Sequence, residues 1–308
     1  MAVYLALLAV LILPSLGSAE AGIKKNQETK GILVTAVAHN ERTREIARKL
    51  FPEDFAVKEN GRPQKVISAQ KVGLEPAVVA VILQDNLVMS VNNELPEIRK
   101  FIRSLPEGSR VMTGYLSSGS LRTRQDFTAD LEKAAKSLRI IPGSSFMSPY
   151  SPFLQLRDAF KKFEGQPEMR RIALVVSDGL DFSARLRRLG SPFSAYVGTA
   201  VAEAQKRGIS VYTIYAPAAG RRRSYRRAVN SGQSNLLKLA DQTGGESFMT
   251  GSSFVTFDPY FKELKEIFEN QWYIVYSSSN SGKGYRSVEV VTDFDIDLQH
   301  VDGYRVRD

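Results

Sequence analysis

Two aspartates stand where a buried strand would hand the chain over to solvent. Asp85 follows the apolar run Ala77-Val-Val-Ala-Val-Ile-Leu83 and Gln84, and Asp178 follows Arg171-Ile-Ala-Leu-Val-Val-Ser177. A carboxylate directly behind an all-apolar strand must be solvated, cap a turn, or hold a cation. If both strands lie in one parallel sheet, both carboxylates fall on its carboxyl edge, where such sheets bind ligands. Two arginine clusters point to that edge as well. Arg185, Arg187 and Arg188 follow the Asp178 loop, and Arg221, Arg222, Arg223, Arg226 and Arg227 follow a third apolar run, Gly208-Ile-Ser-Val-Tyr-Thr-Ile-Tyr215. A basic rim of this kind attracts acidic partners, and guanidinium groups suit bidentate contacts to carboxylate or phosphate.

Much other chemistry is excluded. The 308 residues hold no cysteine, so disulfides, thiolate zinc sites, iron–sulfur clusters and cysteine nucleophiles are out. His39 and His300 are far apart in sequence, which argues against a multi-histidine metal site. They also lie in segments read as β structure, away from the two aspartates, so a serine–histidine–aspartate hydrolase would lack its base at the edge. No G-x-S-x-G, H-E-x-x-H or phosphate-loop pattern occurs. Thr243-Gly-Gly245 reads as a helix end and turn. Asp293, Asp295 and Asp297 alternate with Phe294, Ile296 and Leu298; a calcium loop counted from Asp293 would need Gly and Glu where Leu298 and Tyr304 stand, so the period reads as a strand.

Residues 1–21 are an address. Val3 to Leu16 is apolar, and Gly17-Ser-Ala-Glu-Ala21 supplies small residues, as in a secretory signal peptide. Retention as an anchor is the alternative, although the stretch is barely of spanning length and Pro14 interrupts it. Export to the periplasm or beyond is therefore expected, with no further membrane span. Residues 22–75 read as mostly β, with Asn60-Gly61 as a hairpin turn. Residues 76–270 alternate buried strands with helices marked by Leu95, Ile98, Phe101 and Ile102, by Phe153, Leu156, Ala159 and Phe160, and by Phe257, Tyr260, Phe261 and Leu264. Residues 271–308 return to strands. The fold class expected is α/β: a doubly wound, mainly parallel sheet, flanked by a small β-sandwich in which residues 271–308 pack with 31–71.

The order of elements resembles a von Willebrand factor type A (VWA) domain, and more closely the VWA-related group of secreted bacterial proteins of acidobacterial type. The resemblance rests on Asp54-Phe-Ala-Val-Lys-Glu-Asn-Gly-Arg-Pro-Gln64, Asp126-Phe-Thr-Ala-Asp130, Ser177-Asp-Gly-Leu-Asp181, Val211-Tyr-Thr-Ile-Tyr215, Leu239-Ala-Asp-Gln-Thr-Gly-Gly-Glu-Ser-Phe248 and Gly303-Tyr304, in that order across the chain after the signal segment. It implies a metal-ion-dependent adhesion site: Asp-x-Ser-x-Ser after the first strand, a Thr in a later loop, and an Asp after the fourth strand. Mg²⁺ wants six oxygens, keeps some waters, and can accept an acidic group of a partner. Asp85 matches the first Asp, Ser148 is the candidate for the Thr position, and Asp178 matches the last Asp. The two hydroxyl positions, however, read Leu87 and Met89. Leu has no ligand atom and a thioether is too soft for Mg²⁺.

The expectation is therefore a non-catalytic extracytoplasmic binding module with a degenerate adhesion site and no cofactor. In it, Asp85 and Asp178 cap turns as solvated remnants, and the arginine loops take over the recognition of acidic groups. Its partner would be a protein or an anionic envelope component. Nucleic acid is not expected, since export removes the chain from it. A Mg²⁺- or Mn²⁺-dependent adhesion module with an atypical ligand shell is the alternative, and a hydrolase the second.

Overall fold

A computed structural model describes residues 28–142, 151–181, 194, 196–219, 225–249, 256–280 and 282–306, with the side chains of 225–228 left out. Down the chain, the first elements are β1 (Glu28–Val37), α1 (Glu41–Lys49), β2 (Ala56–Glu59), β3 (Arg62–Lys71), β4 (Val78–Gln84), α2 (Leu95–Arg103), β5 (Arg110–Ser117) and β6 (Ser120–Thr128). There follow α3 (Leu131–Lys136), α4 (Pro152–Lys161), β7 (Arg171–Ser177), α5 (Val197–Lys206), β8 (Ile209–Tyr215), α6 (Tyr225–Asp241), β9 (Ser247–Phe248) and α7 (Asp258–Glu269). The last four are β10 (Gln271–Ser278), β11 (Gly284–Val291), β12 (Asp297–His300) and β13 (Gly303–Val306). Among the described residues no helix is long and apolar enough to cross a membrane.

The central elements form a sheet of order β6-β5-β4-β7-β8-β9, parallel except for β6. Its three middle strands are buried along their whole length, as strands covered on both faces must be. Alternate side chains feed two cores. Val79, Val81 and Leu83 pack with residues of α2, α3 and α7, while Ala80 and Ile82 pack with residues of α4 and α5. Val78 pairs with both Arg110 and Arg171, so β4, β5 and β7 start level and end together. That level ending brings the two aspartates to one edge.

The remaining strands form a single antiparallel sheet of order β12-β1-β10-β3-β2-β11-β13, in place of the two facing sheets expected from the sequence. The reason lies in residues 297–306. β12 pairs with β1 at one edge and β13 with β11 at the other, yet only Val301 and Asp302 separate them. One run of chain therefore covers both free edges and curls the sheet closed. The Val290 N–H donates to His300 Nε2 at 3.1 Å and the Val288 N–H to Asp302 O at 2.9 Å across the join. Closure removes the unpaired edges that otherwise invite aggregation. Ile32, Val34, Phe55, Val57, Trp272, Ile274 and Val288 fill the interior. The acidic run also differs from expectation: the strand begins only at Asp297, and Asp293 and Asp295 lie before it.

A carboxylate sits inside this barrel. Glu59 is fully buried and accepts hydrogen bonds from Tyr304 Oη at 2.7 Å, Ser278 Oγ at 2.8 Å, Tyr276 Oη at 2.9 Å and Asn280 Nδ2, with Arg286 Nη1 at 3.7 Å. Burial alone would raise its pKa; the hydrogen bonds from Asn280, Tyr304, Ser278 and Tyr276 together outweigh it and hold the carboxyl below its ordinary value. A carboxyl whose folded pKa is depressed stabilises the fold above its unfolded pKa, about 4.3, and loses that contribution as pH falls through the lower folded value. Glu59→Gln should therefore cost about 1–3 kcal/mol near neutral pH. The gap from wild type should narrow below about pH 4 in urea denaturation curves taken across pH.

Arg170 joins the barrel to the α/β unit. Its Nε donates to Gln271 Oε1 at 2.9 Å, its Nη1 to Glu75 O, and its guanidinium lies 5.4 Å from the Phe268 ring centre. Burial brings its pKa down to about 10, which leaves it charged at neutral pH.

Candidate functional site

The carboxyl edge is built from the residues that follow β4 and β7. Asp85 is fully enclosed, and its N–H donates to Leu116 O at 3.0 Å, which fixes it over the end of β5. Arg139 Nη2 lies 2.8 Å from Oδ1 and 2.8 Å from Oδ2 of Asp85. The arginine is held in turn. Its guanidinium lies 4.3 Å from the centre of the Tyr115 ring, a cation–π contact. The Arg139 N–H donates to Tyr115 Oη at 2.8 Å, and the Tyr115 O–H donates to Arg139 O at 3.0 Å. Burial raises the Tyr115 pKa, which keeps that hydroxyl protonated and able to donate. A buried carboxylate is thus neutralised by a guanidinium clamped to the strand beside it. The Arg139 side chain remains 30% exposed, so part of the guanidinium faces solvent.

Asp178 lies at the same edge in a separate network. Gln84 Nε2 donates to Asp178 Oδ1 at 2.9 Å and to Asn86 Oδ1 at 2.5 Å, and Gln84 Oε1 accepts from Ser177 Oγ at 2.6 Å. The Leu180 N–H donates to Asp178 Oδ1 at 3.0 Å, so the aspartate caps its own turn. Further out, Asp181 Oδ2 accepts from Ser151 Oγ at 3.0 Å and from Ser194 Oγ. The expectation of solvated aspartates is corrected on this point: both are buried, because Arg139 and Gln84 supply the polar partners that water would otherwise provide.

Leu87 and Met89 part company. Leu87 is fully buried in the core and bridges to Ala218, while Met89 is 66% exposed. Backbone bonds from Val88 N to Pro217 O (2.9 Å) and from Ala219 N to Asn86 O (2.8 Å) tie the loop after β4 to the loop after β8. These residues do not fit a divalent ion. Asp85 has both oxygens on a guanidinium, and of the two positions where the resemblance calls for a hydroxyl, Leu87 is turned into the core and Met89 carries a thioether. Among the described residues no group of three His, Asp or Glu converges on a common point.

Of the residues named from sequence, Asp85 and Asp178 come to one edge. Ser148 and Arg185, Arg187, Arg188, Arg221, Arg222 and Arg223 lie outside the described residues. Arg226 and Arg227 fall in the first turn of α6, with side chains not described. The histidines stay in the barrel: His300 bonds the Val290 N–H, and His39 Nε2 lies 3.5 Å from Asp297 Oδ2. Sequence reasoning missed Arg139. It lies 54 positions from Asp85, just after a short helix, and nothing in its local pattern marks it.

No family model and no curated protein matches the chain. Among solved structures it is similar to an aerotolerance-related membrane protein from Bacteroides fragilis, at 15% identity and a TM-score of 0.45, over 62% of this chain and 98% of that one. It is similar to the conserved hypothetical protein BatB from Bacteroides thetaiotaomicron, at 16% identity and a TM-score of 0.46, over 63% and 98% of the two chains. A third similarity is to the SpRpn10 VWA domain, at 10% identity and a TM-score of 0.34, over 57% and 89%.

Proposed function

We propose that the chain is a non-catalytic, exported binding module of VWA type that recognises a protein or an anionic envelope surface without a divalent metal. One observation carries the reading: Arg139 holds both oxygens of Asp85, the carboxylate around which such a metal would have to be built. The positive charge that a bound cation would bring is here a side chain of the fold. Its solvent-facing part can meet acidic groups directly, and the sequence supplies further arginines after Asp178 and after β8.

Calorimetric titration with Mg²⁺ and Mn²⁺, paired with thermal denaturation, tests the metal half. No saturable heat and no change in Tm are expected. An affinity tighter than about 1 mM would overturn the reading. Co-sedimentation with phosphatidylglycerol vesicles at low salt tests the other half. Binding should survive a chelator and fall when Arg221, Arg222, Arg223, Arg226 and Arg227 are replaced by Glu; binding that needs Mg²⁺ would refute it.

A further inference from the structure

A second concentration of positive charge lies at the opposite end of the parallel sheet. The C-terminal half of α4, the length of α5 and β13 of the barrel border an open cleft of about 500 Å³ lined by Arg157, Lys161, Glu203, Lys206, Arg207 and Arg305. Arg207 stands two residues before the start of β8, so this end of the cleft sits at the amino edge, away from Asp85 and Asp178. A smaller cavity of about 230 Å³ adjoins it and shares Lys206 and Arg207.

The charges in this cleft are only partly compensated. Arg207 is paired with Glu203 at 2.9 Å and with Glu164 at 3.3 Å. Lys161 and Arg157 share one carboxylate, Asp158, at 2.9 and 3.7 Å. Lys206 and Arg305, both exposed, have no acidic side chain within ion-pair distance among the described residues. Arg157 Nε and Arg207 Nε, and with them Glu203 Oε1, are buried without a hydrogen-bond partner among the described residues. The lining thus carries Arg157, Lys161, Lys206, Arg207 and Arg305 against the one carboxylate of Glu203, which favours an anion.

We propose that the cleft binds a soluble anion carrying two or more phosphate groups, with Lys206 and Arg305 as its main contacts. A volume near 500 Å³ is that of a small-molecule site. The cations stand on three separate elements, which suits an extended ligand with more than one charged group. Guanidinium forks and a lysine ammonium are the ordinary partners of phosphate oxygens. The inference is independent of the carboxyl edge.

Calorimetry of the full chain with tripolyphosphate at low salt tests it. Saturable binding of one ligand per chain is expected, weakened about a hundredfold in the K206E/R305E double variant, since each charge-assisted contact is worth about tenfold. K206Q/R305Q should show an intermediate loss with unchanged Tm, which separates ligand loss from misfolding. Replacing the five arginines at 221–227 by Glu should leave tripolyphosphate binding in place, and K206E/R305E should leave vesicle binding in place. No saturable binding below about 1 mM, or equal binding by the double variant, would overturn the proposal. So would a double variant that loses vesicles, because the cleft would then take a lipid headgroup.

Discussion

Arg139→Gln should destabilise the chain by about 3–5 kcal/mol, because it leaves the fully buried Asp85 carboxylate without its counter-charge. The wild-type pair is not itself a large net gain: taking two ions from water costs about what their attraction returns. The loss comes from breaking one half. Adding Asp85→Asn to Arg139→Gln should therefore recover much of the stability, and the double-mutant cycle should give a coupling energy above about 1 kcal/mol. Arg139→Lys should rescue only in part. An ammonium keeps the charge but loses the planar group stacked on Tyr115 and the reach to both oxygens. Urea denaturation of the four variants decides this. A loss below about 1 kcal/mol in Arg139→Gln would mean that water already shares the site.

Gly179→Ala should cost a similar amount, about 3–5 kcal/mol, for a different reason. Gly179 has φ +63°, and a Cβ there would lie 2.2 Å from Gly232 O and 2.8 Å from Leu236 Cγ of α6. The reciprocal contact is as tight: a Cβ on Gly232 would lie 2.1 Å from Asp178 O. Helix α6 thus rests its backbone directly on the turn that positions Asp178, and Asn235 Nδ2 adds a hydrogen bond to Gly179 O at 3.0 Å. Gly61→Ala is the control. Its φ is +74°, yet a Cβ there would meet nothing within 4 Å. It should lose only the backbone term of about 1–2 kcal/mol. Equal losses at the two positions in thermal or urea denaturation would show that the close approach of α6 adds nothing.

The α/β unit was legible because its middle strands are covered on both faces. Burial on both sides forces unbroken apolar runs such as Ala77–Leu83, and these mark both the sheet and the residues just beyond it. Asp85 and Asp178 could be placed on one edge for that reason alone. Helix α1 was not read, although its start carries a local signal: Asn40 and Thr43 cap one another reciprocally at 3.0 Å, and Ile46 and Ala47 are its apolar contacts with the barrel core. Barrel closure was hidden because pairing of one segment with two distant strands leaves no trace in spacing. Arg139 was hidden likewise. A counter-ion is chosen by the folded geometry, and the sequence drew attention to the arginine clusters at 185–188 and 221–227 rather than to this residue.

The two-edged pairing of residues 297–306 has a consequence for the order of folding. β1 to β3 are made early, but their sheet acquires its neighbours β10 to β13 only after nearly two hundred intervening residues have been synthesised. The six-stranded sheet pairs only strands between Val78 and Phe248, so its hydrogen bonding does not wait for the last strands. Contacts spanning so long a stretch are slow to form, so the barrel is expected to close late, with its open strand edges free to pair with other chains until it does.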